Sequence, residues 1–124
     1  MPIVGINSFA TAKSLVDKVV TVSEENIALA ILRIVEKEKL VVEGASAVGL
    51  AAVLSGQLDE FKGKKVVSVM TGGNIQTTSL GRVLEMGMVT DGRLNRFLVT
   101  ISDRAGGLFD LCNLLSKCGA RYGL

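Results

Sequence analysis

Residues 66–74 read VVSVMTGGN, a β-branched run that ends in a hydroxyl residue, two glycines and an amide. The first five residues predict a strand that is buried on both faces, as in a parallel sheet. Thr71 would then lie at the carboxyl end of that strand, where open α/β sheets bind their ligands. Because Gly72 and Gly73 lack a Cβ, another group can approach their backbone closely. An ordinary turn between a strand and a helix explains these residues equally well on geometry alone.

Strand and helix patterns alternate on either side of this run, over residues 1–90. Ser23 is the predicted N-cap of a long helix, because two glutamates follow it and an apolar stripe begins at Ile27. The next helix is rich in alanine and glycine, which indicates that a neighbouring element approaches it closely. The alternation predicts an α/β fold in which helices cover an open, mostly parallel sheet. Besides the strand at 66–70, the predicted elements are a strand over 19–22, the helix after Ser23, and helices over about 45–54 and 77–85, the last closing near Gly87.

A second unit is predicted over residues 91–124. It begins with a turn at 91–92, and the partly alternating apolar residues of 94–102 predict a strand. A glycine-containing loop then leads into a helical stripe over 108–118. Since one strand and one helix cannot bury both faces of a sheet, this unit is predicted to be incomplete.

The composition narrows the classes of function. Only 4% of the 124 residues are aromatic while 48% are hydrophobic, which predicts an aliphatic core. A net charge of +2 without a basic face argues against a nucleic-acid partner, and the apolar stretches are too short to span a membrane. No leader peptide is recognisable after Met1, so a cytoplasmic location is expected. The chain has no histidine, and Cys112 and Cys118 lie on different faces of a predicted helix, so we expect buried free thiols and no metal site.

Three further motifs surround residues 66–74 in a fixed order. They are VTVSEE at 20–25, EGASAVGLAA at 43–52 and LGRVLE at 80–85. In this order and spacing they resemble the C-terminal half of a pyridoxal-phosphate-dependent threonine or serine dehydratase, of the tryptophan-synthase-β-like fold. After Asp91 the sequence resembles the opening of an ACT domain, a ferredoxin-like regulatory module with the order βαββαβ. The resemblance implies part of a catalytic domain of PLP fold type II over 1–90 and only the first strand and helix of an ACT unit over 91–124.

The resemblance implies that the complete enzyme is a threonine ammonia-lyase, which eliminates the β-hydroxyl of threonine or serine and yields a 2-oxo acid and ammonia. Its cofactor is pyridoxal 5'-phosphate. Thr71 matches the family's serine, whose neutral hydroxyl faces the pyridine nitrogen and leaves it largely unprotonated, and Gly72, Gly73 and Asn74 continue that motif. Glu43 matches a glutamate near the cofactor ring. A carboxylate at a helix start explains Glu43 equally well, and a turn-closing amide explains Asn74.

Two parts of the family's site are missing from this sequence. No motif like the family's Ser-Phe-Lys lysine and no glycine-rich phosphate loop occurs, and lysines such as Lys13, Lys18 and Lys37 lie in polar contexts. In the family both parts lie in the N-terminal half. We therefore expect no catalytic residue in this chain, and interpret the chain as a fragment that is inactive alone.

A loop before the last helix resembles the Asp-Arg-Pro-Gly-x-Leu loop with which ACT domains bind amino-acid effectors. The resemblance implies an effector site at Asp103, Arg104, Gly106 and Gly107, for an amino acid or a nucleotide. Ala105 replaces the family's proline and leaves the loop less rigid. A glycine turn in front of a helix explains the same residues equally well.

Two other functions stay open at this point. One is a non-catalytic module that responds to amino acids, and the other is an enzyme similar to serine racemase. The ACT-like segment favours the dehydratase, and the complete enzyme is expected to be a homo-oligomer. The sequence does not decide between threonine and serine as the substrate, nor does it identify the effector.

Overall fold

The computed structural model describes residues 4–119, and within that range the chain forms five α-helices and one turn of 3₁₀-helix. Residues 1–3, at the start of the first predicted unit, and residues 120–124, at the end of the second, lie outside the described residues. None of the described helices is long and apolar enough to cross a membrane. The helices are α1 (Ile6–Lys13), α2 (Glu24–Glu38), α3 (Gly44–Leu54), α4 (Thr77–Thr90) and α5 (Gly107–Lys117), and the 3₁₀ turn spans Asp59–Phe61.

The ends of α2 follow the local sequence. Ser23 is its N-cap, as predicted, and the Ser23 Oγ accepts a hydrogen bond from the Asn26 N–H at 3.4 Å. A hydrogen bond with Ser23 holds the pKa of the Glu25 carboxyl below its ordinary value. At the other end Lys39 adopts left-handed backbone angles (φ 59°), and the Lys39 Nζ donates to the Glu36 carbonyl oxygen at 2.7 Å. This left-handed residue ends α2 shortly before α3 begins.

The core lies where α2 packs against both α3 and α4. Ile31 and Ile34 of α2 are each 1% exposed, and Ala47 and Ala51 of α3 are completely buried. The small side chains of α3 let α2 approach closely, which confirms the prediction made from its alanine and glycine content. The buried cluster consists of Ala30, Ile31, Ile34, Val42, Ala47 and Ala51.

Gly87 lies inside α4 and does not end it. The helix continues to Thr90, so the prediction that it closes near Gly87 is wrong. Gly87 is buried against α2, and a Cβ at this position would lie 2.7 Å from the Ala28 carbonyl oxygen and 3.0 Å from the Leu32 Cβ. The glycine is needed for close helix packing, and this packing compensates for its low helix propensity.

An ion-pair network joins α2 to the turn after α4. Asp91 contacts the guanidinium groups of Arg33 and Arg93, and the Arg93 NH1 lies 2.7 Å from the Glu36 Oε1. Burial works against the charge of Asp91, but the hydrogen bond and positive charge of Arg33, together with Arg93, hold the pKa of the Asp91 carboxyl below its ordinary value. A hydrogen bond from Arg93 lowers the pKa of Glu36, and Arg33 contributes to the shift. The network fastens the predicted turn at 91–92 to the core helix.

The three predicted strands are not formed within residues 4–119. Residues 19–22, 66–70 and 94–102 carry no ladder of backbone hydrogen bonds. A strand is stabilised by pairing with a neighbour, and the described part of the chain gives these segments none. The helices of the predicted α/β unit are therefore present, whereas neither the parallel sheet nor the ferredoxin-like unit is formed there.

The side chains of 66–70 nevertheless alternate between two sides. Ser68 lies against α3, because a Cβ added to Gly49 of that helix would be 2.6 Å from the Ser68 Oγ. Val67 and Val69, on either side of it in sequence, are 90% and 74% exposed. This alternation is the period of two that a strand has, without the hydrogen-bonded neighbour.

The region after the turn at 91–92 is largely exposed. Leu98 is fully exposed, and Leu108 and Leu114 of α5 are 65% and 60% exposed. α5 confirms the helix that the apolar stripe predicted over 108–118, and Cys118 is its C-cap. Both cysteines are free thiols, but Cys118 is exposed while Cys112 is half-buried, so the expectation that both are buried is wrong.

Candidate functional site

The loop at 71–76 connects the run at 66–70 to α4 and is held against the start of α3. The Glu43 N–H donates to the Gly72 carbonyl oxygen at 3.1 Å. A second attachment comes from the side chain of Ser46, in the first turn of α3. The loop is thus fixed to the first turn of α3, where Ser46 precedes Gly72 by 26 residues in sequence.

Ser46 holds the loop from inside the protein. It is 1% exposed, and its Oγ accepts from the Gly72 N–H at 2.7 Å and donates to the Gly72 carbonyl oxygen at 2.6 Å. The Thr71 Oγ1 lies 3.2 Å from the same Ser46 Oγ. Thr71 itself is exposed. A buried hydroxyl therefore sets the position of an exposed one.

Glu43 occupies the N-cap position of α3, but its side chain makes no capping hydrogen bond. The carboxylate lies beside the loop instead, because a Cβ on Gly72 would be 3.5 Å from the Glu43 Oε1. Glu43 is half-buried. Glu43 thus lies at the start of a helix, and its carboxylate lies beside the loop at 71–76, while its contact with a cofactor stays a prediction.

The two glycines bring the loop close to the segment before α3. A Cβ on Gly73 would lie 2.6 Å from the Val41 carbonyl oxygen, so any side chain there would displace the loop. At Gly72, by contrast, a Cβ would make only ordinary contact with the Glu43 carboxylate, at 3.5 Å. Packing within the chain therefore explains the glycine at 73 but does not require one at 72.

Asn74 lies at the exposed edge of the loop. The turn around it is closed by the backbone, since the Ile75 N–H donates to the Gly73 carbonyl oxygen at 2.9 Å. The structure brings four of the five predicted cofactor-binding residues into one cluster. These are Glu43, Thr71, Gly72 and Gly73.

Every lysine of the chain lies within the described residues, and every one is exposed. Lys18 pairs with Glu60, and the Lys62 Nζ lies 2.7 Å from the Asp59 Oδ2. Hydroxyl and carboxylate groups meet at the loop, while the amines stay in water.

Ser46 is the residue at this site that sequence analysis missed. It is a single hydroxyl in a helix of small apolar residues, three positions after Glu43. A polar side chain on the buried side of such a helix needs a hydrogen-bond partner. That argument identifies Ser46 as a residue with an important contact, but the spacing alone does not say that the partner is Gly72.

The second group of predicted residues lies in the loop before α5. Gly106 has left-handed backbone angles (φ 88°) and is the N-cap of α5, and Gly107 is buried. The Arg104 NH2 lies 2.7 Å from the Asp110 Oδ2, so this guanidinium already has a partner. Asp103 is exposed beside it.

Residues 1–72, which end within the loop fixed by Ser46, match the family model of pyridoxal-phosphate dependent enzymes. The chain belongs to this family. It is 41% identical over 120 residues to an L-threonine ammonia-lyase of Geobacter sulfurreducens and 44% identical over 113 residues to one of Thermotoga maritima. A catabolic L-threonine dehydratase of Escherichia coli is 36% identical over 77 residues.

The three matches cover 97%, 91% and 61% of this chain, but only 30%, 28% and 23% of the respective relatives. The chain therefore spans less than a third of the length of the relatives it matches. The two longer matches necessarily extend past residue 90, whereas the shortest match is short enough to lie within the first 90 residues. Similarity to the two ammonia-lyases thus continues into the region of α5.

A pyridoxal-phosphate-dependent enzyme places a polar group opposite the pyridine nitrogen of its cofactor. Thr71 fits this role, because its exposed hydroxyl is fixed by a buried partner and can face a ligand. The carboxylate of Glu43 is close enough to the same loop to add negative charge there. The lysines, all of them exposed and two of them (Lys18 and Lys62) ion-paired, do not fit the role of the lysine that binds the cofactor.

Proposed function

We propose that this chain is part of the catalytic domain of an L-threonine ammonia-lyase that uses pyridoxal phosphate and acts on threonine. The observation that carries the proposal is the hydroxyl of Thr71, which buried Ser46 holds at an exposed position directly after the run at 66–70. The names of the two relatives at 41% and 44% identity, both L-threonine ammonia-lyases, support the choice of reaction and substrate. In this proposal the chain supplies the side of the site that faces the pyridine nitrogen.

When bound, the cofactor withdraws electrons from the substrate Cα, so that Cα loses its proton and the β-hydroxyl leaves. Thr71 would hold the cofactor ring through its Oγ1 hydroxyl. Since this hydroxyl is neutral, it favours a protonated nitrogen less than a carboxylate would. Glu43 adds negative charge beside Gly72, and Gly73 keeps the loop packed on the segment before α3, so that Thr71 stays in place. The lysine and the phosphate-binding loop come from parts of the enzyme other than residues 4–119.

The run at 66–70 is proposed to be a strand of the enzyme's open parallel sheet. Its side chains already alternate, with Ser68 against α3 and with Val67 and Val69 exposed. A neighbouring strand would pair with its free backbone groups, and a covering layer would bury both valines. Thr71 would then lie at the carboxyl end of a paired strand, in keeping with the usual position of ligands in such sheets.

Residues 91–124 are proposed to begin an ACT-like regulatory unit with an effector site at Asp103, Arg104, Gly106 and Gly107. The continuation of the two longer matches into this region supports a unit that these ammonia-lyases share. An effector carboxylate would replace Asp110 as the partner of Arg104. Isothermal titration of the complete enzyme with amino acids tests the assignment, and Arg104→Ala is expected to abolish the heat of effector binding.

The assignment of the cofactor lysine can be tested on this chain directly. We expect that borohydride reduction in the presence of pyridoxal phosphate does not label one lysine preferentially. All of the lysines are exposed, so the aldehyde can react with each of them. Mass spectrometry of the digested chain measures the labelling. Stoichiometric labelling of one lysine, lost when that lysine is replaced by arginine, would contradict the proposal.

Thr71 is tested in the complete enzyme. Thr71→Ala is expected to weaken cofactor binding by about 0.5–1.5 kcal/mol, the net value of one hydrogen bond, and to slow elimination. Thr71→Ser keeps the hydroxyl and is expected to behave like the wild type. The matched control is Thr90→Ala, because the Thr90 hydroxyl donates to the Met86 carbonyl oxygen within α4, away from the loop. Equal cofactor affinity and turnover for Thr71→Ala and wild type would reduce Thr71 to a turn residue.

A further inference from the structure

We infer that Ser46 is a positioning residue for the reaction, and that it acts by clamping the backbone of Gly72 so that Thr71 stays in place at the site. The inference rests on the proposed function, since it takes Thr71 as the residue that contacts the cofactor ring. It concerns the force that restrains the loop, which lies in the backbone beside Thr71. The direction of the hydrogen bond between the Ser46 and Thr71 hydroxyls plays no part in it.

One buried hydroxyl engages both polar groups of the Gly72 backbone. The Ser46 Oγ accepts from the Gly72 N–H at 2.7 Å and donates to the Gly72 carbonyl oxygen at 2.6 Å. The donor is fixed in both bonds, because a backbone N–H donates and a carbonyl oxygen accepts. The Glu43 N–H gives a third bond, to the same carbonyl oxygen, at 3.1 Å. Both peptide groups that meet at Gly72 are therefore held.

Holding these two peptide groups also sets the direction of their other ends. In a planar trans peptide group the N–H and the C=O point in opposite directions. Because the Gly72 N–H points to Ser46, the Thr71 carbonyl oxygen points away from it. The Gly73 N–H likewise points away from the start of α3, since the Gly72 carbonyl oxygen faces that helix. The clamp thus sets how the exposed residues Thr71 and Gly73 lie relative to α3.

Gly72 is the position at which this loop most needs a restraint. Glycine has the widest range of backbone angles, so ordering it costs more conformational entropy than ordering any other residue. Neither packing nor the backbone requires glycine here, because a Cβ would lie 3.5 Å from the Glu43 Oε1 and Gly72 lies outside the left-handed region. The restraint therefore comes from hydrogen bonds. Ser46 ties them to the core, since it is 1% exposed and next to completely buried Ala47.

The clamp is measured first without cofactor, in the 124-residue chain. Ser46→Ala is expected to speed hydrogen exchange of the Gly72 amide about tenfold, because the amide loses its acceptor. Ser55→Ala is the matched control, since the Ser55 hydroxyl donates to the Ala52 carbonyl oxygen at the end of the same helix. Ser46→Cys has a weaker hydrogen-bonding group of similar size, so it replaces alanine if alanine prevents folding, and intermediate exchange is expected. Exchange at the wild-type rate in the Ser46 variants overturns the inference.

The effect on the site is measured in the holoenzyme that contains this chain. Ser46→Ala is expected to raise the dissociation constant of pyridoxal phosphate about tenfold, because it removes both bonds from Ser46 to Gly72. Ser55→Ala is expected to leave the constant unchanged. Fluorescence titration of the apoenzyme with pyridoxal phosphate gives the values. An unchanged constant in Ser46→Ala overturns the inference.

A substitution at Gly72 distinguishes the clamp from direct contact between the two hydroxyls. Alanine narrows the range of backbone angles and keeps the N–H and the C=O in place. Added to Ser46→Ala, Gly72→Ala is expected to recover about two- to fivefold of the lost affinity, the factor by which such substitutions favour the ordered chain at compatible sites. If Ser46 acted only through the Thr71 hydroxyl, or only held the fold together, Gly72→Ala would recover nothing. That result overturns the inference.

Thr71→Ala separates the inference from the proposed function. If Ser46 acts by positioning Thr71, Ser46→Ala weakens cofactor binding much less in the Thr71→Ala background than in the wild type. An equal loss in both backgrounds overturns the inference and leaves the proposed function standing. If Thr71→Ala alone leaves the cofactor affinity unchanged, the contact between Thr71 and the ring is wrong. The inference then falls with the proposed function, even where the exchange of the Gly72 amide confirms the clamp.

Discussion

α2 and α5 are both amphipathic helices, yet the apolar side of α2 is buried far more completely than that of α5. Ile31 and Ile34 of α2 are 1% exposed between residues of α3 and α4, whereas Leu108 and Leu114 of α5 are more than half exposed. Both sequences have an amphipathic pattern, and the difference lies in the elements that pack against each helix. An apolar stripe is therefore sufficient to predict a helix, but its contribution to stability depends on elements that lie elsewhere.

The largest expected difference between the two regions is in the cost of removing an apolar side chain. Ile34→Ala is expected to lower the free energy of unfolding by about 2–5 kcal/mol, because it leaves a cavity in a buried cluster. Leu98→Ala, at a fully exposed position, is expected to change it by less than about 0.5 kcal/mol. Urea denaturation of both variants measures the difference. Equal effects would show that the region after α4 is buried in solution.

The next effect concerns the contact between α2 and α4. Gly87→Ala is expected to destabilise the chain by about 1–3 kcal/mol, since the added methyl meets the Ala28 carbonyl oxygen. Gly81→Ala is the matched control in the same helix, where a Cβ meets no atom within 4 Å. It is expected to stabilise the chain by about 0.5–1 kcal/mol through helix propensity alone. Thermal unfolding of the pair gives opposite signs if the helices pack as described.

The ion-pair network between α2 and the turn after α4 is expected to weaken in acid. The folded state lowers the pKa of Asp91 and of Glu36, so their contribution is fully present above the unfolded pKa of about 4 and is lost as the pH falls below it. Asp91→Asn is expected to flatten the dependence of unfolding free energy on pH between about 5 and 2. Urea denaturation at a series of pH values measures this dependence. A slope for Asp91→Asn as steep as that of the wild type would contradict the assignment.

The smallest effect on stability, and the clearest on association, is expected at the exposed apolar residues. Leu98→Lys is expected to change the unfolding free energy by less than about 0.5 kcal/mol. It is also expected to reduce self-association in light scattering, because exposed apolar surface and unpaired strand segments promote contact between chains. Ser116→Lys on α5 adds the same charge without removing apolar surface and controls for net charge. Association that falls equally in both variants would make charge the cause.

Local features made α2 predictable, and non-local features limited the rest. Ser23 and the stripe that begins at Ile27 determine a helix within a few residues of sequence. The role of Gly87 could not be read from α4 alone, because the atom that demands a glycine is the Ala28 carbonyl oxygen on another helix. α1 was not predicted. None of its residues is buried, so it lacks the core-facing apolar stripe by which α2 was predicted.

The candidate site was predictable as a set of residues but not as a hydrogen-bond network. The motif after residue 70 and the glutamate at the start of α3 pointed to the same loop. The pairing that links them, between Ser46 and Gly72, crosses from helix to loop and has no sequence pattern of its own. The predicted strands failed for a similar reason, because pairing depends on a neighbour and residues 66–70 carry information only about themselves.

The left-handed backbone conformation of Lys39 limits which amino acids can replace it. It is the sole non-glycine residue with a positive φ among residues 4–119, and a Cβ in that conformation costs about 1 kcal/mol. In a library that samples every amino acid at this position, glycine and asparagine are expected to be enriched by selection for folding. Valine and isoleucine are expected to be depleted, because branching at Cβ makes the left-handed conformation still less favourable. A surface position with no part in the core or the site would thus still discriminate between amino acids, through its backbone conformation alone.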